Sequence, residues 1–374
     1  MPIYMDIHDT TGATAEDVAS DHQRDFVLQD SFNCKFIYFW HDIPNNTGFC
    51  VFEAPDKESV INLHNASHGN TPNQIIEIEL SDVEFFLGKI TDVAWSNKNS
   101  PFDGYINEKV HRTILFLEIV NPILSKLQIN KRKFADILKL QRKIIKESFL
   151  KFKGKEVSWE NDSIVTSFLS EENAINCAAE IQNKFTNLSE EENIKFSVSI
   201  GLNFGAPVTE SEDLFGDVIS LAKKLGYIAG ENQILISSSL GKVYKELIFK
   251  TGLKNSLIRV LNSRYENFLN NLLETFEEKW NEEKFNIDSM IKQLGISKSQ
   301  LYRNVTFLTG CSPNEFLREY RLKQALRSIE KMRGNISEIA FECGFNNPSY
   351  FSKCFQKKFG ILPSEYANLM YNIN

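Results

Sequence analysis

Two stretches, FNIDSMIKQLGISKSQLYRNVTFLTG (285–310) and NISEIAFECGFNNPSYFSKCFQKKFG (335–360), follow one plan 50 positions apart, and such an internal repeat decides how a long chain is read. In the first, Ile287, Met290, Ile291 and Leu294 recur at helical spacing, and Gly295 ends that helix. Ser297 with Gln300 forms a capping box that opens another, and Ile296 and Leu301 stand where a hydrophobic staple belongs. In the second, Ile336, Ile339, Ala340 and Cys343 make the stripe, Gly344 the stop, Asn347 the cap and Pro348 the first helical residue. Each copy therefore predicts helix, tight turn, helix, the arrangement whose second helix enters the DNA major groove. Leu301, Val305 and Leu308 take the inner face, which turns Lys298, Ser299, Tyr302 and Arg303 outward. Phe351, Phe355 and Phe359 do the same for Ser349, Ser352 and Lys353. Residues 313–332, PNEFLREYRLKQALRSIEKM, are rich in helix formers and predict one rigid connector between the two units.

On SKSQLYRNVTFLTGCSPNEFLREYRLKQA (297–325) and ISEIAFECGFNNPSYFSKCFQKKFGILPSEY (336–366), the C-terminal region closely resembles the DNA-binding domain of AraC/XylS-type transcription regulators. The resemblance implies double-stranded DNA as partner, with recognition helices entering successive major grooves on one face of the duplex.

Charge is unevenly spread along the 374 residues. Residues 1–109 carry 6 Lys/Arg against 18 Asp/Glu, whereas residues 290–374 carry 12 against 6. Only the C-terminal piece suits a phosphate backbone. A content of 42% apolar residues with 29 Phe excludes a disordered chain and suffices for two or three cores. The six cysteines (Cys34, Cys50, Cys177, Cys311, Cys343, Cys354) show no CxxC and read as reduced, as in a bacterial cytoplasm. No apolar run reaches membrane-spanning length, and MPIYMDIHDT is not a signal peptide.

The first 80 residues predict strand, helix, strand, strand, helix, strand, the βαββαβ order of a ferredoxin-like sandwich. Five of the six histidines lie here (His8, His22, His41, His64, His68), and His64 and His68 are one helical turn apart, so both imidazoles share a face and could grip one transition metal. GATAEDVASDHQRD (12–25), FCVFEAPD (49–56) and the HxxxHG ending at Gly69 resemble small ferredoxin-like proteins that bind nickel. That likeness implies nickel or another divalent transition metal on His64 and His68, with His22 or a residue of a second subunit completing the site. An oligomer contact or a small-molecule pocket is the competing use.

Residues 110–261 alternate strand and helix and contain a hairpin with its tip at Asn161–Asp162. TILFLEIV (113–120), that hairpin, VSIGLNFGAPV (198–208) and DLFGDVISLAKKLGYIAGENQILIS (213–237) resemble class III nucleotide cyclases. Two carboxylates hold two metal ions in those enzymes. The matching positions here are Glu118, where the family has Asp, and Asp162, with Asp213 at the acidic base-reading position. Ser158 stands for the base-reading lysine, Ser220 for the ribose-orienting asparagine and Lys224 for the charge-stabilising arginine. A lysine replaces that planar fork poorly, so a degenerate, non-catalytic site is expected.

The sequence therefore predicts a multidomain α+β regulator: a ferredoxin-like metal-binding sensor (1–90), a linker (91–109), a degenerate cyclase-like α/β domain (110–261) and an all-α double helix-turn-helix (262–374). A homodimer and a metal or small-molecule effector are expected partners. The rival reading is a nucleotide cyclase with an appended DNA-binding module.

Overall fold

The computed structural model describes residues 1–87, 109–120, 131–160, 162–193, 196–251, 257–331 and 334–371. The expected linker, apart from Lys109, lies outside them.

The N-terminal part runs β1 (Ile3–Asp9), α1 (Ala15–Leu28), β2 (Lys35–Asp42), β3 (Thr47–Glu53), α2 (Lys57–Ser67) and β4 (Gln74–Ile78), followed by α3 (Leu80–Leu87). The four strands pair antiparallel in the order β2-β3-β1-β4, a ferredoxin-like sheet. Both helices start on side-chain caps, Thr14 in a capping box with Asp17 and Asp56 through the amide of Ser59. Because side chains alternate along a strand, β1 divides its residues. Tyr4, Asp6 and His8 share the face toward α1 and α2, while Ile3, Met5 and Ile7 take the other.

That other face is covered by a second sheet. Its strands are β5 (Arg112–Val120), β6 (Lys155–Glu160), β7 (Ser163–Phe168), β8 (Ser197–Gly205), β9 (Ile234–Ile236) and β10 (Ile258–Val260), in the order β10-β9-β8-β5-β7-β6. Met5, Trp40, Phe49, Val51 and Ile76 of the first sheet share one core with Ile114, Phe116 and Val165 of the second. Asp42 fastens the junction by accepting from the amides of Val110 (2.9 Å) and His111 (3.2 Å) and lying 3.0 Å from His111 Nδ1. On the far face of the second sheet lie α4 (Lys131–Lys151) and α5 (Glu171–Glu192). On its near face, against Phe116, lies α6 (Gly216–Ile228), and α7 (Gly241–Thr251) joins the far face; α7 and the three-residue β10 have no counterpart in the sequence analysis.

The rest is helical: α8 (Ser263–Lys279), α9 (Ile287–Leu294), α10 (Lys298–Thr309), α11 (Pro313–Glu330), α12 (Ile336–Glu342), α13 (Pro348–Phe359) and α14 (Pro363–Tyr371). The repeat is realised as expected. Ser297 and Gln300 form their capping box, Asn347 caps α13 with Pro348 following, and Leu301, Val305, Leu308, Phe351 and Phe355 are buried; Phe359 is half-buried. Gly295 (φ +62°) and Gly344 (φ +75°) take the left-handed conformation at equivalent turns.

One close approach fixes where α6 lies. A Cβ on Gly201 of β8 would stand 2.1 Å from the carbonyl oxygen of Ala222 and 2.3 Å from the amide nitrogen of Gly226. Gly201→Ala should therefore push α6 off the sheet and cost at least about 2 kcal/mol in urea unfolding; a variant as stable as the parent would show that this contact is not tight.

Candidate functional site

The alternation in β1 and β3 places Asp6, His8 and Cys50 on the helix-facing side of the first sheet, where α1 contributes His22 and Asp25 and α2 contributes His64. All six are buried. His64 sits at the centre, its Nε2 2.9 Å from Asp6 Oδ2 and its Nδ1 3.3 Å from Asp25 Oδ2. His68, just after α2, brings its Nε2 to 3.1 Å from His64 Nδ1 and 3.2 Å from Asp25 Oδ2. Asp6 also accepts from the amide of Cys50 at 2.9 Å, and Asp25 from the hydroxyl of Ser67. His22 lies on the other side of Asp25, its Nδ1 3.6 Å from Asp25 Oδ2 and equally far from Cys50 Sγ. His41 is elsewhere, beside the junction residue Asp42.

Electrostatics in this dry cluster are set by competition. Burial opposes charge on every member, yet the histidines around them hold Asp6 and Asp25 well below the usual carboxylate range. Burial disfavours the imidazolium of His64, but the flanking Asp25 and Asp6 outweigh it and push its pKa up to about 10. For His22 burial prevails and lowers the pKa. Burial, reinforced by Asp6 and Asp25, keeps the Cys50 thiol protonated far above its ordinary range.

Two donor sets share His64: Asp6, His8, Cys50 and His64, and Asp25, His64 and His68; within each, the ligating atoms lie within 4.8 Å of one another. A cation fits the first set on an observation independent of spacing. His8 Nε2 is 3.2 Å from Asp6 Oδ1, but neither of its ring nitrogens is aligned for a hydrogen bond. A buried imidazole whose lone pair meets no donor is costly unless something electropositive takes it. Mixed imidazole, carboxylate and thiol donors suit nickel, zinc or copper better than calcium or magnesium. His22 belongs to neither set. Asp6, His8, Asp25 and Cys50 escaped the sequence reading, although Asp6 and His8 alternate with Met5 and Ile7, and His22 and Asp25 continue the stripe begun by Val18.

At the C-terminal repeat, Lys298, Ser299, Arg303, Ser349 and Lys353 are exposed, on the side of α10 and α13 away from their cores. Tyr302 is half-buried, its hydroxyl accepting from Asn314 at 3.4 Å, and the Ser352 hydroxyl donates back to the carbonyl of Pro348 at 2.9 Å. Those two are less free to meet a base than the five around them.

The cyclase-like positions do not converge on open space. Glu118 Oε2 lies 3.4 Å from Lys323 Nζ, and Oε1 lies 3.6 Å from Arg327 Nη2; both cations belong to α11. Lys224, itself buried, pairs with Glu274 of α8 at 3.0 Å. Asp162 and Asp213 are exposed; Ser158 and Ser220 are half-buried on β6 and α6.

Residues 290–368 match the family described as "Helix-turn-helix domain", and residues 4–78 match "Nickel responsive protein SCO4226-like". "Histidine kinase P4" of Formosa agariphila is 39% identical over 108 residues, covering 29% of this chain and 8% of that protein. "HTH-type transcriptional activator RhaS" of Mannheimia succiniciproducens is 32% identical over 84 residues, covering 22% and 31%. The chain thus spans less than a third of the length of either relative. A solved structure titled "Adenylate/Guanylate Cyclase/Hydrolase from Silicibacter pomeroyi" is 24% identical, with a TM-score of 0.32, over 37% of this chain and 81% of the other. No helix among the described residues is long and apolar enough to cross a membrane. The chain carries a helix-turn-helix region like those of AraC-type regulators at one end and a region like the nickel-responsive proteins at the other, with a mixed six-stranded sheet between them.

Proposed function

We propose that this chain is a sequence-specific DNA-binding transcription regulator that binds duplex DNA as a homodimer and senses a divalent transition metal, nickel first among candidates, through its N-terminal sheet. The observation that supports DNA binding most directly is the pair of matched units with polar outer faces on one connector, α11. Arg303 and Lys353 hold equivalent positions, six residues after the caps Ser297 and Asn347. They are assigned to base edges or adjacent phosphates, with Lys298, Ser299, Tyr302, Ser349 and Ser352 tuning preference. On the metal side, Asp6, His8, Cys50 and His64 would hold the ion, and Asp25 and His68 would hold His64 or serve as the second set; the ion would supply a fixed positive charge. To regulate, it must bind the DNA-competent and incompetent forms with different affinity. The middle region is assigned no turnover: the carboxylate at its first metal position faces two cations, and the lysine at its charge-stabilising position is held by Glu274.

Arg303→Ala should weaken binding to a preferred duplex by about 1–3 kcal/mol if the guanidinium reads a guanine edge. Gel-shift titration on selected and random duplexes decides: equal loss on both means a backbone contact, and no loss on either removes Arg303 from the interface.

Metal uptake should release protons, because His64 holds one between Asp6 and Asp25 up to about pH 10. Affinity for nickel or zinc should rise by roughly tenfold per pH unit per proton released between pH 7 and 9. Calorimetry in buffers of different ionisation enthalpy counts those protons; a parent protein taking up no metal, or a His64→Ala, His68→Ala variant taking up as much, would sink the site. Without metal, the raised pKa of His64 stabilises the fold fully below its unfolded value of about 6.5, and that contribution is lost as pH climbs through about 10.

Purified protein should convert neither ATP nor GTP to a cyclic product with magnesium or manganese. Turnover abolished by Asp162→Ala would overturn the non-catalytic assignment.

A further inference from the structure

The face of the middle region that carries Glu118 and Lys224 meets the chain's own helical half. Lys323 Nζ is held between the carboxylate of Glu118 and the ring of Tyr227, 4.5 Å from its centroid. Tyr227 in turn packs edge-on to Tyr320 and Phe316 of α11, with centroids 5.5 and 6.2 Å apart. Lys224, one turn earlier on α6, reaches Glu274 of α8. Glu118 and Lys224, which in a cyclase would face metal and triphosphate, both contact the helical half.

The pattern of attachment gives these contacts a purpose. The two helix-turn-helix units have separate cores. The first takes Phe316, Leu317 and Tyr320 from the start of α11, and the second takes Leu322, Ala325 and Ile329 from its end. The first unit shares its core with Leu225, Ile228 and Leu235 of the middle region, and Arg259 of β10 donates to the carbonyls of Phe307 (3.1 Å) and Leu308 (2.9 Å) at the end of α10. The second unit meets the middle region through Glu118, whose two cations lie in the stretch that supplies the second core. Both reading faces stay exposed in this docked form.

We infer that the face around Glu118 and Tyr227 is a docking surface for α11, and that the middle region splints the two helix-turn-helix units in one fixed relation, with Glu118 as the positioning residue for the second unit. This rests on the DNA-binding reading above. A splint acts on sites that need both units at once: holding the second recognition helix in place removes the orientational freedom that would otherwise be lost on binding. It does nothing for a site read by one unit. The pairs are part-exposed, so each contributes modestly and weakens with salt, whereas a lysine at position 118 sets two like charges against α11.

The test uses the full chain and a duplex enriched by the parent protein from a random-sequence library, beside the same duplex with one half scrambled. Three variants are compared with the parent: Glu118→Lys, the double variant Lys323→Glu with Arg327→Glu, and all three together. Glu118→Lys should weaken binding to the intact duplex by about three- to tenfold and leave the scrambled one unchanged. It should also speed amide hydrogen exchange in the second half of α11 without DNA. The triple variant should recover exchange protection and most of the affinity lost between parent and double variant. Unchanged exchange and affinity in Glu118→Lys overturn the docking surface. Faster exchange with equal loss on both duplexes overturns the splint while keeping the docking. A parent protein that enriches no duplex overturns the DNA-binding reading instead, and the exchange comparison still decides docking by itself.

Discussion

Helix α11 has to satisfy three sets of neighbours within 18 residues, and the helical half depends on its doing so. Phe316, Leu317 and Tyr320 close the first core, Leu322, Ala325 and Ile329 close the second, and Lys323 and Arg327 project between them to Glu118. A surface helix normally spends one stripe on a core and gives the rest to water. This one has little surface to give. At about 1.5 Å per residue it spans roughly 27 Å, so the two recognition helices are set apart by a single rigid element. Ser312 and Glu315 fix where it begins through a capping box, which sets the register of everything packed against it.

That triple duty explains what was and was not legible in the sequence. The repeated units were readable because their signals are local: a stripe, a turn glycine, a cap three residues before its partner. The structure returns the Ser297 and Gln300 box and the Asn347 cap, and adds an Asn335 and Glu338 box that opens α12. The charges of α11 carry no such signal. Nothing in the spacing of Lys323 and Arg327 points to a partner, and Glu118 is 205 residues away from Lys323, a distance at which no periodicity or spacing speaks. The pairing of Lys224 with Glu274 was hidden for the same reason.

The buried cluster around His64 was half legible. His64 and His68 announce themselves by helical spacing, and the structure puts their nitrogens 3.1 Å apart. Their supporters come from β1, β3 and α1, and only the pairing of Asp6 with Cys50 across β1 and β3 brings the carboxylate and the thiol together. Alternating polar residues in IYMDIHD are the ordinary mark of a strand with one solvated face, so nothing local announced that both faces of β1 would be covered and that Asp6 and His8 would be buried.

The placement of that cluster also constrains how a bound ion could be felt elsewhere. It faces α1 and α2, with the whole first sheet between it and the second sheet, so its field reaches the helical half weakly through that distance. The side chains that could hold an ion, however, alternate with core residues. Asp6 and His8 flank Ile7, and Cys50 lies between Phe49 and Val51; Phe49 and Val51 belong to the core shared with β5, and Ile7 packs against it. Moving a ligand toward an ion moves its neighbour in that core, and interiors at crystalline density shift between discrete packings instead of yielding smoothly. Strand β5 receives that core through Ile114 and Phe116, begins beside the Asp42–His111 contact and carries Glu118 near its other end. Packing along one strand therefore runs from the cluster to Glu118, whereas charge acts only over direct contacts: Asp25 and Asp6 on His64, His111 on Asp42, Lys323 against Glu118.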